Sequence, residues 1–154
     1  MGKSDKELVS NRKARHQYEI LETFEAGIAL RGTEIKSLRQ GGGHLQEAYI
    51  KVLGGELWLI GSFIASYSYG NIHNHEEVRD RKLLMHKREI AKLKEAVQEK
   101  GLSLVPLSLY LKRGRAKISL ALGRGKKMHD KRAALKERED KRRMQQMIKG
   151  FERD

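Results

Sequence analysis

Alternation is clearest in "LSLVPLSLYLKRGRAKISLALG", Leu102 to Gly123. Leu107, Leu109 and Leu111 fall on every second position, as do Ile118, Leu120 and Leu122 beyond Arg113-Gly114. A period of two marks half-buried strands, so the stretch predicts a hairpin with those six side chains turned inward. "AYIKVLGGELWLIGSFI" predicts a second hairpin, reversing at Gly54-Gly55. "YEILETFEAGIAL", Tyr18 to Leu30, reads as two β segments broken at Gly27, with Glu25-Ala26-Gly27 as the turn.

Two stretches carry helical spacing. "GTEIKSLRQGGG" offers Thr33 as an N-cap, a short helix, and three glycines as its stop. On it Ile35 and Leu38 share a face, and Lys36 and Arg39 point elsewhere. "RDRKLLMHKREIAKLKEAVQEKG", Arg79 to Gly101, predicts a long amphipathic helix with Leu83, Ile90, Leu93 and Val97 as its stripe. Between the strands and that helix, "SYSYGNIHNHEEV" is a polar, aromatic surface loop. The order is strands, short helix, strands, long helix, strands. This suits a mainly β fold with flanking helices, a small closed barrel of the oligonucleotide-binding type, because closure removes exposed strand edges.

Beyond Gly123 the apolar pattern fails. Leu135, Met144, Met147, Ile148 and Phe151 are too sparse to cover a face, and a lone helix of this length is marginal in water. The expected organisation is a folded body over residues 1–123 and a basic tail over residues 124–154. That tail is expected to be disordered when free and ordered by a partner.

Composition sharpens this division. The 154 residues carry a net charge of +13, with 38% hydrophobic and 34% charged side chains. Residues 1–18 carry +3, residues 19–78 carry −4, residues 79–100 and 101–122 carry +4 each, and residues 123–154 carry +6. A positive field gathered on the long helix, one hairpin and the tail favours a polyanionic partner. The longest apolar run, Leu57 to Ala65, is too short to span a bilayer, and "MGKSDKEL" lacks the apolar stretch of a signal peptide. A cytoplasmic protein with no membrane partner is expected.

Several chemistries drop out. With no cysteine there is no disulfide, thiol catalysis or thiolate zinc site. "GRGKKM" fails as a phosphate loop, since Leu120 stands where the first glycine belongs and Lys127 where Ser or Thr should hold magnesium. His73 and His75 with Glu76 and Glu77 form one short cluster without a second half at ligand spacing, so no metal is expected. No Ser-His-Asp arrangement is indicated and no cofactor is implied. The acid-free hairpin with Lys112, Arg113, Arg115 and Lys117, beside the basic "RDRKLLMHKR", points to an RNA surface.

"NRKARHQYEILETFEAGIALRGTEIKSLRQG", "YIKVLGGELWLIG", "RDRKLLMHKREI" and "LVPLSLYLKRGRAKISLALGRGKKMHDKR" resemble, in this order, the small protein B family (SmpB), the SsrA-binding proteins of bacterial trans-translation. The resemblance runs from Asn11 into the tail. It implies an oligonucleotide-binding-type barrel that binds the tRNA-like domain of transfer-messenger RNA. With the elongation GTPase that carries charged RNA, the complex would enter stalled ribosomes, and tagging would follow. The resemblance places Glu25, Leu84 and Lys117 against that RNA, with Asn11 nearby; charge and position add Lys36, Arg39, Arg81 and Lys82. In the tail it places His129 on a decoding-centre base. Asp130, Lys131 and Arg132 serve accommodation in the messenger channel, after the charged exit at Lys126 and Lys127. Gly41-Gly42-Gly43, Met85 and Ser119 depart from the family pattern. On residues alone, a ribosomal or initiation-type RNA-binding barrel and an RNA-processing enzyme remain open.

Overall fold

Two tight turns set the register of the sheet. Gly54 and Gly55 (φ 59° and 76°) join β4 (Tyr49–Leu53) to β5 (Glu56–Ile60). Arg113 and Gly114 (φ 52° and 77°) join β8 (Ser103–Lys112) to β9 (Arg115–Gly125). Two successive positive φ values match the right-handed twist of flanking strands, so both expected hairpins form. The structure is a computed structural model describing residues 6–69 and 74–125.

The other elements are β1 (Lys6–Ser10), α1 (Arg12–Gln17), β2 (Tyr18–Ile28), α2 (Gly32–Arg39), β3 (Gly43–His44), β6 (Phe63–Ile64), β7 (Arg81–Leu84) and α3 (Lys87–Lys100). Seven strands pair antiparallel in the order β1-β8-β9-β2-β7-β5-β4, and β3 pairs with β6. The large sheet curls until β4 packs beside β8, so among the described residues the barrel closes by packing, with no ladder between those two strands. The fold is mainly β with flanking helices.

Inside lie Ala26 and Ile28 of β2, Leu57 and Leu59 of β5, Leu83 of β7, Leu109 of β8, and Ile118, Leu120 and Leu122 of β9. The α3 helix plugs this core with Ile90, Leu93 and Ala96, Val97 packing at its margin. Gly101, at φ 65°, ends the helix as the sequence predicts, its N–H donating to the Ala96 carbonyl.

The structure corrects the local readings at several places. The β2 strand is continuous through Glu25-Ala26-Gly27, which pair with Ser119, Ile118 and Lys117 of β9. Gly27 is there for close approach, since a Cβ would lie 3.3 Å from the Cβ of Leu84. The long helix begins only at Lys87; Arg81–Leu84 is a strand between β2 and β5. Pairing on both edges outweighs the helix propensity of its Lys, Arg and Leu residues. Leu83 is therefore core and Leu84, at 53% exposure, is surface. Leu107 does not share a cluster with Leu109, because a bulge between Pro106 and Ser108 reverses the alternation. Leu107 packs instead with Ala14, Val105 and Ala121 under α1.

The α2 helix is docked by a buried ion network. Glu34 is fully buried; its carboxylate accepts from Arg81 Nε at 2.7 Å and from Arg79 Nη2 at 2.5 Å, and Oε1 also accepts from the Arg31 N–H at 2.8 Å. The last bond closes the start of the helix, so Arg31 stands at the N-cap in place of Thr33. Arg81 Nη1 donates to the carbonyl and hydroxyl oxygens of Ser62, both at 2.9 Å. Thr33 meets His75 Nδ1 at 2.9 Å, while His75 Nε2 donates to the Ile64 carbonyl at 2.9 Å. His75 is thus a buried tie, not part of a polar surface loop; His73 lies outside the described residues. Arg81 is likewise removed from any RNA surface, because its guanidinium is buried and saturated by Glu34 and Ser62.

Burial raises the Glu34 pKa, but the hydrogen bonds from Arg79, Arg31 and Arg81 outweigh it and hold it below 4.5. Burial pulls Arg81 below its ordinary value against the attraction of Glu34. Removing one partner strands the other charge in the interior. Arg81→Met is expected to cost about 3–5 kcal/mol in urea unfolding; a loss under ~1 kcal/mol would show the pair to be dispensable. Because the folded Glu34 pKa is depressed, its contribution is present above the ordinary carboxylate range and lost as pH falls through the folded value. The stability gap between the parent chain and Glu34→Gln should therefore narrow on acidification, and a gap unchanged from pH 7 to pH 3 would contradict this.

Candidate nucleic-acid interface

Antiparallel register carries one row of outward side chains across five strands. Leu84 of β7 pairs with Gly27 of β2, Gly27 with Lys117 of β9, Lys117 with Tyr110 of β8, and Tyr110 with Glu7 of β1. Glu25 stands two residues along β2 from Gly27 and so on the same face. One row further along the hairpin, Lys112 pairs with Arg115. Two of the family-implied residues thus lie in a single row with the third beside it, and the missing side chain of Gly27 leaves Leu84 lying over β2.

The row is tied together by polar contacts. The Tyr110 hydroxyl donates to Glu25 Oε2, and Lys112 Nζ lies 3.4 and 3.5 Å from the two carboxylate oxygens. The Tyr110 hydrogen bond, the largest influence, together with Lys112 and Lys117 outweighs the opposing effect of burial and holds Glu25 below its ordinary value. Glu25 therefore presents as an ionised acceptor between cations. Such a group binds ribose hydroxyls or base amino groups; Lys117 and the hairpin cations suit phosphates, and an exposed leucine suits the face of a base or sugar.

Tyr110 escaped the sequence reading, and Lys112, read there only as one of the hairpin cations, was not linked to Glu25. Nothing in the linear pattern joins position 110 to position 25; the link appears only once β8, β9 and β2 are placed in register. A second outward row, Lys51 of β4, Trp58 of β5 and Lys82 of β7, was also hidden by register. Lys82 forms an exposed pair with Glu56 at 3.2 Å, a contact that solvent weakens and a phosphate can displace.

The remaining residues lie apart from the array. Asn11 is buried at the end of β1, where its N–H and Nδ2 donate to the Leu107 and Pro106 carbonyls, each at 2.8 Å. It holds the β8 bulge with its amide rather than presenting it to solvent. Lys36 and Arg39 are exposed on α2, with Lys36 Nζ 5.7 Å from the centroid of Tyr67. Lys126, Lys127, His129, Asp130, Lys131 and Arg132 lie outside the described residues. The last strand continues to Gly125, two residues beyond the expected boundary of the body.

Comparison with known proteins identifies the family. The model of the SmpB protein family matches residues 8–150. An SsrA-binding protein of Protochlamydia amoebophila is 68% identical over 143 residues, covering 93% of this chain and 94% of its own. One from Thermosynechococcus vestitus is 54% identical over 150 residues, covering 97% and 99%. A solved chain from "tmRNA-SmpB: a journey to the center of the bacterial ribosome" superposes with a TM-score of 0.64 at 52% identity, over 76% of this chain and 82% of that one. With a family model matching residues 8–150 and relatives 68% and 54% identical over nearly the whole of both chains, the chain belongs to the SmpB protein family.

Proposed function

We propose that this protein is a non-enzymatic RNA-binding factor of trans-translation. Its barrel grips the tRNA-like domain of transfer-messenger RNA and brings that RNA to stalled ribosomes in the cytoplasm, together with the elongation GTPase. The observation that carries this is the row Leu84–Gly27–Lys117–Tyr110 with Glu25 held ionised beside it. Its mixture of apolar, acceptor and cationic groups fits a folded RNA, whose sugar edge and phosphates are both presented in a shallow groove. Lys82, on the neighbouring row, extends the cationic surface.

Residues 126–154 act as the probe of the messenger channel in this proposal. A cationic segment that meets a vacant RNA-lined groove gains phosphate contacts that offset its ordering. His129 supplies a planar ring for stacking on a decoding-centre base, with Lys126, Lys127, Asp130, Lys131 and Arg132 around it. Messenger already in the channel excludes the tail sterically, which restricts tagging to stalled ribosomes.

Lys117→Ala is expected to weaken binding of a tRNA-like-domain transcript and to flatten the salt dependence by about one phosphate contact. An unchanged slope in a filter-binding series would remove Lys117 from the interface, and equal binding to arbitrary ribosomal RNA fragments would favour a general ribosomal barrel. Deleting residues 126–154 is expected to leave transcript binding within about threefold while abolishing tagging on ribosomes stalled without a stop codon. Loss of transcript binding in that deletion would refute the division of labour.

A further inference from the structure

Residues 62–69 and 74–78, together with the α2 helix, bury several polar groups. Glu34, Ser62 and His75 are buried there, against the buried Arg81 of β7. The backbone of Tyr67 is held by Asn74 as by a strand partner: Tyr67 N–H donates to Asn74 Oδ1 at 3.1 Å, and Asn74 Nδ2 donates to the Tyr67 carbonyl at 2.6 Å. The Ser66 N–H donates to Glu77 Oε2 at 3.0 Å. What this scaffold holds outward is a pair of tyrosines. Tyr69 is 75% exposed and meets Tyr67 edge-on, with centroids 5.5 Å apart and planes at 68°. Lys36 covers the Tyr67 ring, and Arg39 follows one turn along the same exposed face of α2.

We infer that Tyr67, Tyr69, Lys36 and Arg39 form a second RNA-binding surface, distinct from the sheet row, that stacks an unpaired base on Tyr69 and holds the adjoining phosphates with the two α2 cations. An exposed aromatic face beside cations is the arrangement by which proteins take single-stranded RNA without reading its sequence. The scaffold explains its preorganisation, since fixing the rings in advance lowers the ordering cost of binding. Glu77, an acid of the same segment, is held by the Ser66 N–H through Oε2. The inference rests on the chain being an RNA-binding protein. It assigns to "GTEIKSLR" and "SYSY" a task that the sheet row does not use.

The test uses the full-length chain and a fluorescein-labelled twelve-nucleotide oligoadenylate, with the parent protein, Tyr69→Ala, Tyr69→Phe and Lys117→Ala. Tyr69→Ala should weaken oligonucleotide binding between about fivefold and a hundredfold, and Tyr69→Phe, which keeps the ring, should stay within about twofold of the parent. Melting temperatures should be unchanged, because Tyr69 is exposed. Binding by Tyr69→Ala within twofold of the parent, or an equal loss in Tyr69→Phe, overturns the inference. The same variants on a tRNA-like-domain transcript and on isolated ribosomes then identify which RNA supplies the base; a loss on neither also overturns it. The two readings fail separately. Intact transcript binding by Lys117→Ala alongside a stacking defect in Tyr69→Ala would remove the sheet row and keep this surface, and the reverse pattern would do the opposite.

Discussion

The placement of β2 between β9 and β7 is the constraint from which the rest follows. Nine ladder positions tie it to β9, and Gly27 and Ile28 tie it to β7. A slip of one residue would turn Ala26 and Ile28 outward and bury Glu25. Burial of those two apolar side chains therefore fixes the outward face as well, and with it the meeting of Glu25, Leu84, Lys117 and Tyr110. Gly27 contributes by having no side chain: any Cβ would crowd Leu84, so one glycine sets both the strand spacing and the apolar end of the row.

The two flanking helices are attached by different physics. The α3 helix is held by apolar burial, with Leu93 fully enclosed. The α2 helix offers only Leu38 to the apolar core, and Glu34 fastens it to two arginines. Apolar packing tolerates small rotations, whereas a carboxylate gripped by directional donors on both oxygens tolerates few. A buried ion pair is weak evidence for stability but can fix orientation. Here it fixes the face that carries Lys36 and Arg39, which accords with a recognition role for that helix.

The turns and the strand pairs around them were legible because their signals are local. Gly54-Gly55 and Arg113-Gly114 sit between alternating runs, and the structure turns at both. The losses came where a non-local partner decided the outcome. Nothing within "RDRKLL" says that it pairs with β2 on one edge and β5 on the other, so its charges read as a helix face. The six residues of α1 bury one side chain, Ala14, too little periodicity to register. Leu107 was assigned to the wrong cluster because a bulge is a property of two strands. At the candidate interface, family resemblance named Glu25, Leu84 and Lys117, and charge named Lys112; only register could add Tyr110, join Lys112 to Glu25, or show that Arg81 and Asn11 spend their polar groups inside.

The ninth strand also bears on how one small protein serves two RNA environments. Lys117 lies near its start and Gly125, its last residue, pairs with Tyr18 at the opposite end of β2. Eight residues of extended chain separate them by roughly 27 Å. The proposed channel probe thus departs from the far end of a rigid ladder whose near end carries the proposed tRNA-like-domain contacts. A strand paired on both sides cannot shorten without breaking several hydrogen bonds, so the separation is set by covalent geometry and register. In the proposed function that distance is what allows the barrel to stand in for a missing anticodon arm. The RNA is held at one end, the chain is released at the other, and β2 and β9 together form the spacer between them.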